Sequence, residues 1–190
     1  MKIIGITGGI GSGKSVISAE LRKAGYPVYD TDAEAKRLIV FAPEVRAKVE
    51  QLLGKDVFSG NTYLTARVAE RVFADRALLH QLNAIVHPAV RLDIEQQVQH
   101  VQKPFFFVES AILFESGFDS LCDFTVCVTA PEEERIRRVI TRDHTDIDSV
   151  RARLRAQADH ADQADLVVCN DGKTSLSELA GQIVRTFNHS

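Results

Sequence analysis

A glycine-rich segment near the start of the chain carries the clearest chemical signal, Gly8-Gly9-Ile10-Gly11-Ser12-Gly13-Lys14-Ser15. It matches the phosphate-binding pattern G-x-x-x-x-G-K-S in full. Glycines let the backbone curl around a phosphate group so that several N–H groups point inward, and the helix that follows adds its positive N-terminal end. We expect Lys14 to bind the β- and γ-phosphates of ATP, and the Ser15 hydroxyl to bind Mg²⁺.

The elements that must position this loop are those of a parallel α/β sheet. Strands are predicted from four or five short apolar runs, at Lys2–Thr7, Pro27–Asp30, Pro104–Glu109, Phe124–Val128 and Leu166–Cys169. The longer segments between them have helical periodicity, which favours a parallel sheet over a meander. The run Phe105–Val108 does not alternate with polar residues, as is typical of a central strand covered on both faces.

Capping residues predict where three of the helices begin or end. The first is predicted from about Lys14 to Ala24, with Gly25 just after its end. A later helix is predicted to open with a capping box between Thr129 and Glu132. The last helix is predicted to open at Ser175 and to bury one apolar face, formed by Leu176, Leu179, Ile183 and Phe187.

The region from Pro43 to Gln102 differs from the rest of the chain. It shows apolar stripes at helical spacing and no convincing strand, and it is longer than a simple crossover between two strands. We therefore predict a helical insertion, residues 43–102, in a core formed by residues 1–42 and 103–190. An insertion of this size is a natural place to hold a second substrate.

Composition limits the classes of protein to consider. The chain has 190 residues, of which 45% are hydrophobic and 26% charged, and a formal net charge of −3. These values are ordinary for a globular protein and give no general attraction to nucleic acid or to an anionic membrane, so neither is an expected partner. Three cysteines without metal-ligand spacing, and an apolar start that ends at Gly8, favour a cytoplasmic location.

The phosphate-binding pattern alone does not distinguish kinases from GTPases, motor ATPases or nucleotide-binding regulators. A GTPase would normally carry N-K-x-D after a late strand, whereas the order here is Asn170-Asp171-Gly172-Lys173. Motor ATPases usually need a longer chain. A short chain with a helical insertion, and with arginines after the fourth strand, fits a small-molecule kinase. A non-catalytic nucleotide-binding regulator is the alternative from a different class.

Over nearly its whole length the chain resembles the dephospho-coenzyme A kinase family. The similarity lies in pieces that follow in order: Thr7–Ser15, Asp30-Thr31-Asp32, Leu82-Asn83-Ala84-Ile85-Val86-His87-Pro88, Ile112-Leu113-Phe114-Glu115, Arg138…Arg142-Asp143, Arg153…Gln157, Ala164-Asp165 and Asn170-Asp171-Gly172. The resemblance implies a P-loop NTPase fold of three layers, α/β/α, around a five-stranded parallel sheet, with a lid at about residues 138–163. It also implies transfer of the γ-phosphate of ATP to the ribose 3′-hydroxyl of dephospho-coenzyme A, the last step of coenzyme A biosynthesis. We expect a monomer or weak homo-oligomer. Another small-molecule or nucleotide kinase is the nearest alternative.

The resemblance also implies roles for individual residues. Asp32 by itself fits either a helix cap or a catalytic carboxylate, and the resemblance favours a base for the attacking hydroxyl. His87 and Glu109 are expected on the substrate side, and Glu109 also fits a contact with Mg²⁺-bound water or a structural hydrogen bond. Asn170 is expected near the adenine. The predicted nucleotide-binding residues are therefore Gly8, Gly9, Ile10, Gly11, Ser12, Gly13, Lys14, Ser15, Val16 and Asn170.

Three arginines after the fourth strand, Arg135, Arg138 and Arg142, share one face of a predicted helix. Such a face is ordinarily just solvated. At this place in a P-loop kinase, however, guanidinium groups can bind phosphate oxygens and spread the charge of the transition state. We expect catalytic roles for Arg138 and Arg142, and a substrate-binding role in the lid for Arg153.

The chain departs from the family pattern at a few positions. Glu109 stands where the family often has Asp, and Ala111 stands where it often has Pro. The segment 158–163 has no Lys, which the family often has there. These departures affect the detailed contacts of the lid and of the metal site.

Overall fold

The computed structural model describes residues 1–157 and 160–188. In chain order its strands are β1 (Lys2–Thr7), β2 (Val28–Asp30), β3 (Phe58–Ser59), β4 (Thr62–Tyr63), β5 (Phe105–Glu109), β6 (Phe124–Thr129) and β7 (Leu166–Cys169). Its helices are α1 (Lys14–Lys23), α2 (Thr31–Phe41), α3 (Pro43–Leu53), α4 (Thr65–Ala74), α5 (Arg76–Val98), α6 (Glu132–Asp143), α7 (Ile147–Ala156) and α8 (Leu176–Asn188).

The chain forms two compact units. One consists of Met1–Tyr29 and Val101–Ser190, and the other of Asp30–His100. The predicted insertion, residues 43–102, falls almost wholly within the second unit, which also includes α2. Residues 158 and 159 of the predicted lid lie outside the described residues.

The first unit is built on a five-stranded sheet with the order β2-β5-β1-β6-β7. Strand β1 is central and pairs in parallel with β5 on one side and β6 on the other, and β6 pairs in parallel with β7. The prediction of an α/β fold around a five-stranded parallel sheet is therefore confirmed. All five residues of β5 are buried, in agreement with the absence of polar alternation in that run.

The core of this unit lies between the sheet and two helices. Ile4 and Ile6 of β1 are fully buried and belong to the same cluster as Leu21 of α1 and Ile183 and Phe187 of α8. Helices α1 and α8 therefore cover one face of the sheet. Because β1 and α1 pack in the same core, this packing fixes the two ends that the glycine-rich segment connects.

The helix ends agree with the sequence in two cases and differ in one. Gly25 follows Ala24, the C-cap of α1, and has a positive φ of 84°. At the start of α8, the Ser175 hydroxyl accepts a hydrogen bond from the N–H of Glu178 at 3.2 Å. The predicted capping box at Thr129 was wrong. Thr129 is still part of β6, and α6 begins at Glu132 after Pro131 without a side-chain cap.

The second unit is mainly helical. Its buried residues include Val49 of α3 and Val90 and Ile94 of α5, and α5 continues for 23 residues through Pro88. The expectation that this region lacks a strand was wrong, because β3 and β4 form a small antiparallel hairpin in which Phe58 pairs with Tyr63. Two-residue strands are too short to produce a periodic pattern in the sequence.

No helix in the described part of the chain combines the length and the apolar character needed to cross a lipid bilayer.

Candidate active site

The glycine-rich loop runs from the end of β1 to the start of α1, as the sequence predicts. Gly8, Gly11 and Gly13 have φ values of 146°, 75° and 95°, in the region that favours glycine. Gly13 is the N-cap of α1, and the first turn of this helix contains no acidic residue. A curled backbone ahead of an uncompensated helix N-terminus fits a phosphate group.

Lys14 and Ser15 are the first two residues of α1. The Lys14 ammonium donates a hydrogen bond to the carbonyl of Gly8 at 2.5 Å, so that its charge lies across the loop. Ser15 is exposed in the first turn of the helix. This pair provides a cation for phosphate oxygens and an accessible hydroxyl for Mg²⁺, and it therefore fits both groups.

Asn170 is buried against the loop directly after β7. Its side-chain amide donates to the carbonyl of Ser12 at 3.0 Å, and its backbone N–H donates to the carbonyl of Thr129 at 2.8 Å. A Cβ added to Gly13 would lie 2.2 Å from the Asn170 amide nitrogen. Any residue other than glycine at position 13 would therefore force Asn170 away from the loop.

Arg138 reaches the same place from α6. Its guanidinium donates to the carbonyls of Gly11 and Ser12, both at 3.3 Å, and to the carbonyl of Asn170 at 3.1 Å. Arg138 thus connects the phosphate loop, the end of β7 and α6. Its guanidinium also contacts two side-chain oxygens, Asn170 Oδ1 at 3.4 Å and Glu134 Oε2 at 3.8 Å. A catalytic role for Arg138 stays a prediction.

Arg142 and Arg153 come together on one carboxylate. Arg142 Nε donates to Asp143 Oδ1 at 2.7 Å, and Arg153 Nη1 donates to Asp143 Oδ2 at 3.2 Å. The two arginine side chains are 64% and 52% exposed. Arg142, and to a smaller degree Arg153, lower the pKa of the Asp143 carboxyl. Asp143 therefore joins the end of α6 to α7 and gathers two cations at the surface of the predicted lid.

Glu109 is the last residue of β5 and lies beside Ile6 of β1, near the point where β1 leads into the loop. It is buried, with 8% of its surface exposed. A buried carboxylate at the carboxyl end of a central strand is well placed to face a hydrated cation.

In the second unit, Asp30 and Asp32 have different environments. The Asp30 side chain caps α2 by accepting hydrogen bonds from the N–H groups of Asp32 and Ala33. Asp32 lies in the first turn of that helix and is exposed. The cap function that the sequence allowed for Asp32 therefore belongs to Asp30.

The second unit also contains an open groove of about 650 Å³, formed by α2, α3 and α5. Its lining is largely apolar, with charged residues among it, and includes Leu38, Val45, Ile85, Leu92, Lys48 and Asp93. The volume is within the range of small-molecule sites. His87 is half-buried on the same helix α5 as Ile85, and burial lowers the pKa of its imidazole.

The sequence did not predict two of the hydrogen bonds that hold the loop. Arg135 Nε donates to the carbonyl of Ile10 at 2.9 Å, and the N–H of Ile10 donates to Gln157 Oε1 at 2.7 Å. Arg135 shares a predicted helix face with Arg138 and Arg142, and Gln157 is one of the residues that carry the family resemblance. Neither the helix face of Arg135 nor the resemblance at Gln157 indicates a contact with Ile10, which is more than a hundred positions away in the sequence.

Comparison with known proteins agrees on one family. The family model for dephospho-CoA kinase matches residues 2–175. A dephospho-CoA kinase from Porphyromonas gingivalis is 43% identical over 157 residues, which covers 83% of this chain and 78% of that protein. One from Bacteroides fragilis strain YCH46 is 39% identical over 177 residues, with coverages of 91% and 86%.

A crystal structure of a protein from Thermus thermophilus superposes on this chain with a TM-score of 0.84. The two sequences are 36% identical, and the alignment covers 98% of this chain and 97% of the other. The similarity therefore extends over both compact units and is not confined to the phosphate loop.

Proposed function

The chain belongs to the dephospho-coenzyme A kinase family, and we propose that it transfers the γ-phosphoryl group of ATP to the ribose 3′-hydroxyl of dephospho-coenzyme A. The products are ADP and coenzyme A, and the reaction is a phosphotransfer to an alcohol. The observation that carries this proposal is the loop between β1 and α1, in which positive-φ glycines lead into Lys14 at the N-terminus of a helix whose first turn contains no acidic residue. A cytoplasmic location stays a prediction.

Three groups of the loop act on the nucleotide. Its backbone N–H groups and the helix end bind the phosphates, and the Lys14 ammonium stabilises charge that develops on the β- and γ-phosphates. The Ser15 hydroxyl would hold Mg²⁺, and the Glu109 carboxylate would accept from water bound to the ion. When bound, the ion would neutralise part of the charge on the phosphate oxygens.

Asp32 accepts the proton of the attacking ribose hydroxyl and orients that hydroxyl. Its exposed carboxylate is free of the capping role that Asp30 performs, which supports this assignment. Arg138 and Arg142 of α6 and Arg153 of α7 contribute positive charge. One guanidinium group can bind two phosphate oxygens at the same time. No covalent enzyme intermediate is required.

The helical unit supplies the second substrate site. Its groove between α2, α3 and α5 is large enough for a flexible chain such as the pantetheine arm of dephospho-coenzyme A, and its mostly apolar lining suits the gem-dimethyl and methylene groups of that arm. His87, on the same helix, serves as a further contact with the substrate.

An assay of ADP release with a panel of acceptors tests this function. We expect turnover with dephospho-coenzyme A and none with nucleosides, nucleoside monophosphates or water alone. Turnover with a nucleotide acceptor instead would identify another small-molecule kinase. Tight ATP binding without turnover of any acceptor would identify a nucleotide-binding regulator.

A further inference from the structure

Ile10, near the tip of the phosphate loop, is held at three points by α6 and α7. Its carbonyl accepts from Arg135 Nε at 2.9 Å, and its N–H donates to Gln157 Oε1 at 2.7 Å. Its side chain packs against the small core between the two helices, formed by Ile136, Val139 and Val150. Both backbone polar groups and the side chain of one loop residue are therefore bound by α6, α7 and the residue that follows α7.

The neighbouring residue Gly9 shows how closely this segment is enclosed. A Cβ at position 9 would lie 2.2 Å from Arg135 Nη2 and 3.2 Å from Gln157 Oε1. Arg135 stands in the first turn of α6, and Gln157 directly follows the last residue of α7. The loop segment thus lies between the start of α6 and the end of α7.

The occupied backbone groups separate Ile10 from the rest of the phosphate cradle. Ile10 is one of the residues that the sequence predicts to bind the nucleotide, but its N–H donates to a side-chain oxygen at 2.7 Å, and an N–H with that partner is not available to a phosphate oxygen. Ile10 instead fixes the orientation of the peptide that leads into Gly11, whose φ of 75° begins the turn toward the helix. The position of the later N–H groups depends on that orientation.

We infer that Gln157, together with Arg135, is a positioning residue that holds the phosphate loop in its nucleotide-binding shape through the backbone of Ile10. This inference rests on the proposed function only in that the loop binds ATP; it does not depend on the acceptor. It also gives α7 a direct connection to the nucleotide site, because Arg153, which meets Asp143, is on the same helix that ends next to Gln157.

The test replaces Gln157 with leucine, which has a similar size and no acceptor oxygen. Binding of a non-hydrolysable ATP analogue with Mg²⁺ is measured by calorimetry, and steady-state kinetics are measured for both substrates. We expect analogue affinity to fall and the KM for ATP to rise by roughly 3- to 10-fold, the scale of one net hydrogen bond. The KM for dephospho-coenzyme A should stay within about twofold, because the lining of the proposed acceptor groove includes neither Ile10 nor Gln157.

Gln182→Leu is the matched control, since Gln182 is exposed on α8, away from the loop. Arg135→Met removes the other backbone contact and should produce the same selective loss for ATP. Unchanged analogue affinity in both variants, with melting temperatures near that of the wild type, would overturn the inference. Tighter analogue binding by Gln157→Leu would also overturn it, because Gln157 would then compete with the nucleotide for the Ile10 N–H. Failure of the acceptor assay alone would leave this binding result valid.

Discussion

The carboxylate of Asp30 accepts a hydrogen bond from the backbone N–H of Asp32 at 3.0 Å. The same oxygen accepts from the N–H of Ala33 at 3.0 Å, which completes the cap of α2. The two aspartates therefore have different roles. Asp30 stabilises the start of α2, and Asp32 exposes its carboxylate to solvent in the first turn.

Asp32→Asn should separate catalysis from folding. The amide keeps the shape of the side chain and loses the charge that accepts a proton, so kcat should fall by roughly 10²- to 10⁴-fold. ATP affinity and the melting temperature should change little. Asp30→Ala is the comparison for the cap, and it should lower the free energy of unfolding by about 0.5–2 kcal/mol. If Asp32→Asn retains kcat within a few-fold, Asp32 is not the base.

Lys14→Ala should abolish acceptor-dependent ADP release and leave the fold intact, because the ammonium lies across the phosphate loop and not in the core. Lys23→Ala on the same helix is the control: its side chain is 72% exposed and pairs with Glu20. Thermal melting and ADP release are measured on both variants. Activity of Lys14→Ala close to that of the wild type would refute the proposed nucleotide site.

Arg142→Ala and Arg137→Ala form a matched pair on α6. Both side chains are mostly exposed, and each binds one nearby carboxylate, Asp143 for Arg142 and Glu134 for Arg137. Each substitution should change the free energy of unfolding by less than about 0.5 kcal/mol. Only Arg142→Ala should lower kcat strongly, and Arg142→Lys should restore part of it, since lysine keeps the charge but not the planar fork. Equal and small effects of the two alanine variants on kcat would show that this helix face is merely solvated.

Ala84→Trp should obstruct the groove of the helical unit, because Ala84 lines it from α5. The KM for dephospho-coenzyme A should rise several-fold while binding of the ATP analogue stays unchanged. Ala77→Trp, on the same helix but outside the groove lining, serves as the control. An unchanged KM in Ala84→Trp would place the acceptor elsewhere.

The pKa of His87 makes stability depend on pH in a defined direction. Burial lowers this pKa below its ordinary value of 6.5, so the unfolded state binds a proton more readily than the folded state. The free energy of unfolding should therefore fall as the pH decreases below 6.5, and His87→Gln should reduce that fall. Urea denaturation at pH 7.5, 6.5 and 5.5 measures the slope. The same slope in both proteins would mean that His87 does not contribute.

Much of the sheet was predictable because its strands are buried apolar runs that end at polar residues, glycine or proline. Lys2–Thr7 and Leu166–Cys169 were predicted to the residue, and the others differ by one residue at one end. The hairpin at Phe58–Tyr63 was missed, since two residues per strand provide no alternation to detect. The helix start after β6 was misplaced because Thr129 continues the sheet instead of capping the helix.

The phosphate loop was predictable for a different reason, namely that its chemistry requires particular residues at consecutive positions. Its supports were not. Arg135 and Gln157 lie 125 and 147 positions from Ile10, and their contacts depend on how α6 and α7 pack after folding. No local pattern encodes a hydrogen bond of that separation.

The order of strands in the sheet also decides when this protein can fold during its synthesis. β1 precedes the helical unit in the chain, yet its two neighbours in the sheet, β5 and β6, follow that unit, with Lys2 beside Phe105 and Ile4 beside Phe124. The first strand and the loop after it therefore stay unpaired until the ribosome has made the whole helical unit. That unit makes its contacts among its own residues. A chain that ends before residue 105 would contain every residue of the helical unit and of the nucleotide loop, but neither of the strands that pair with β1.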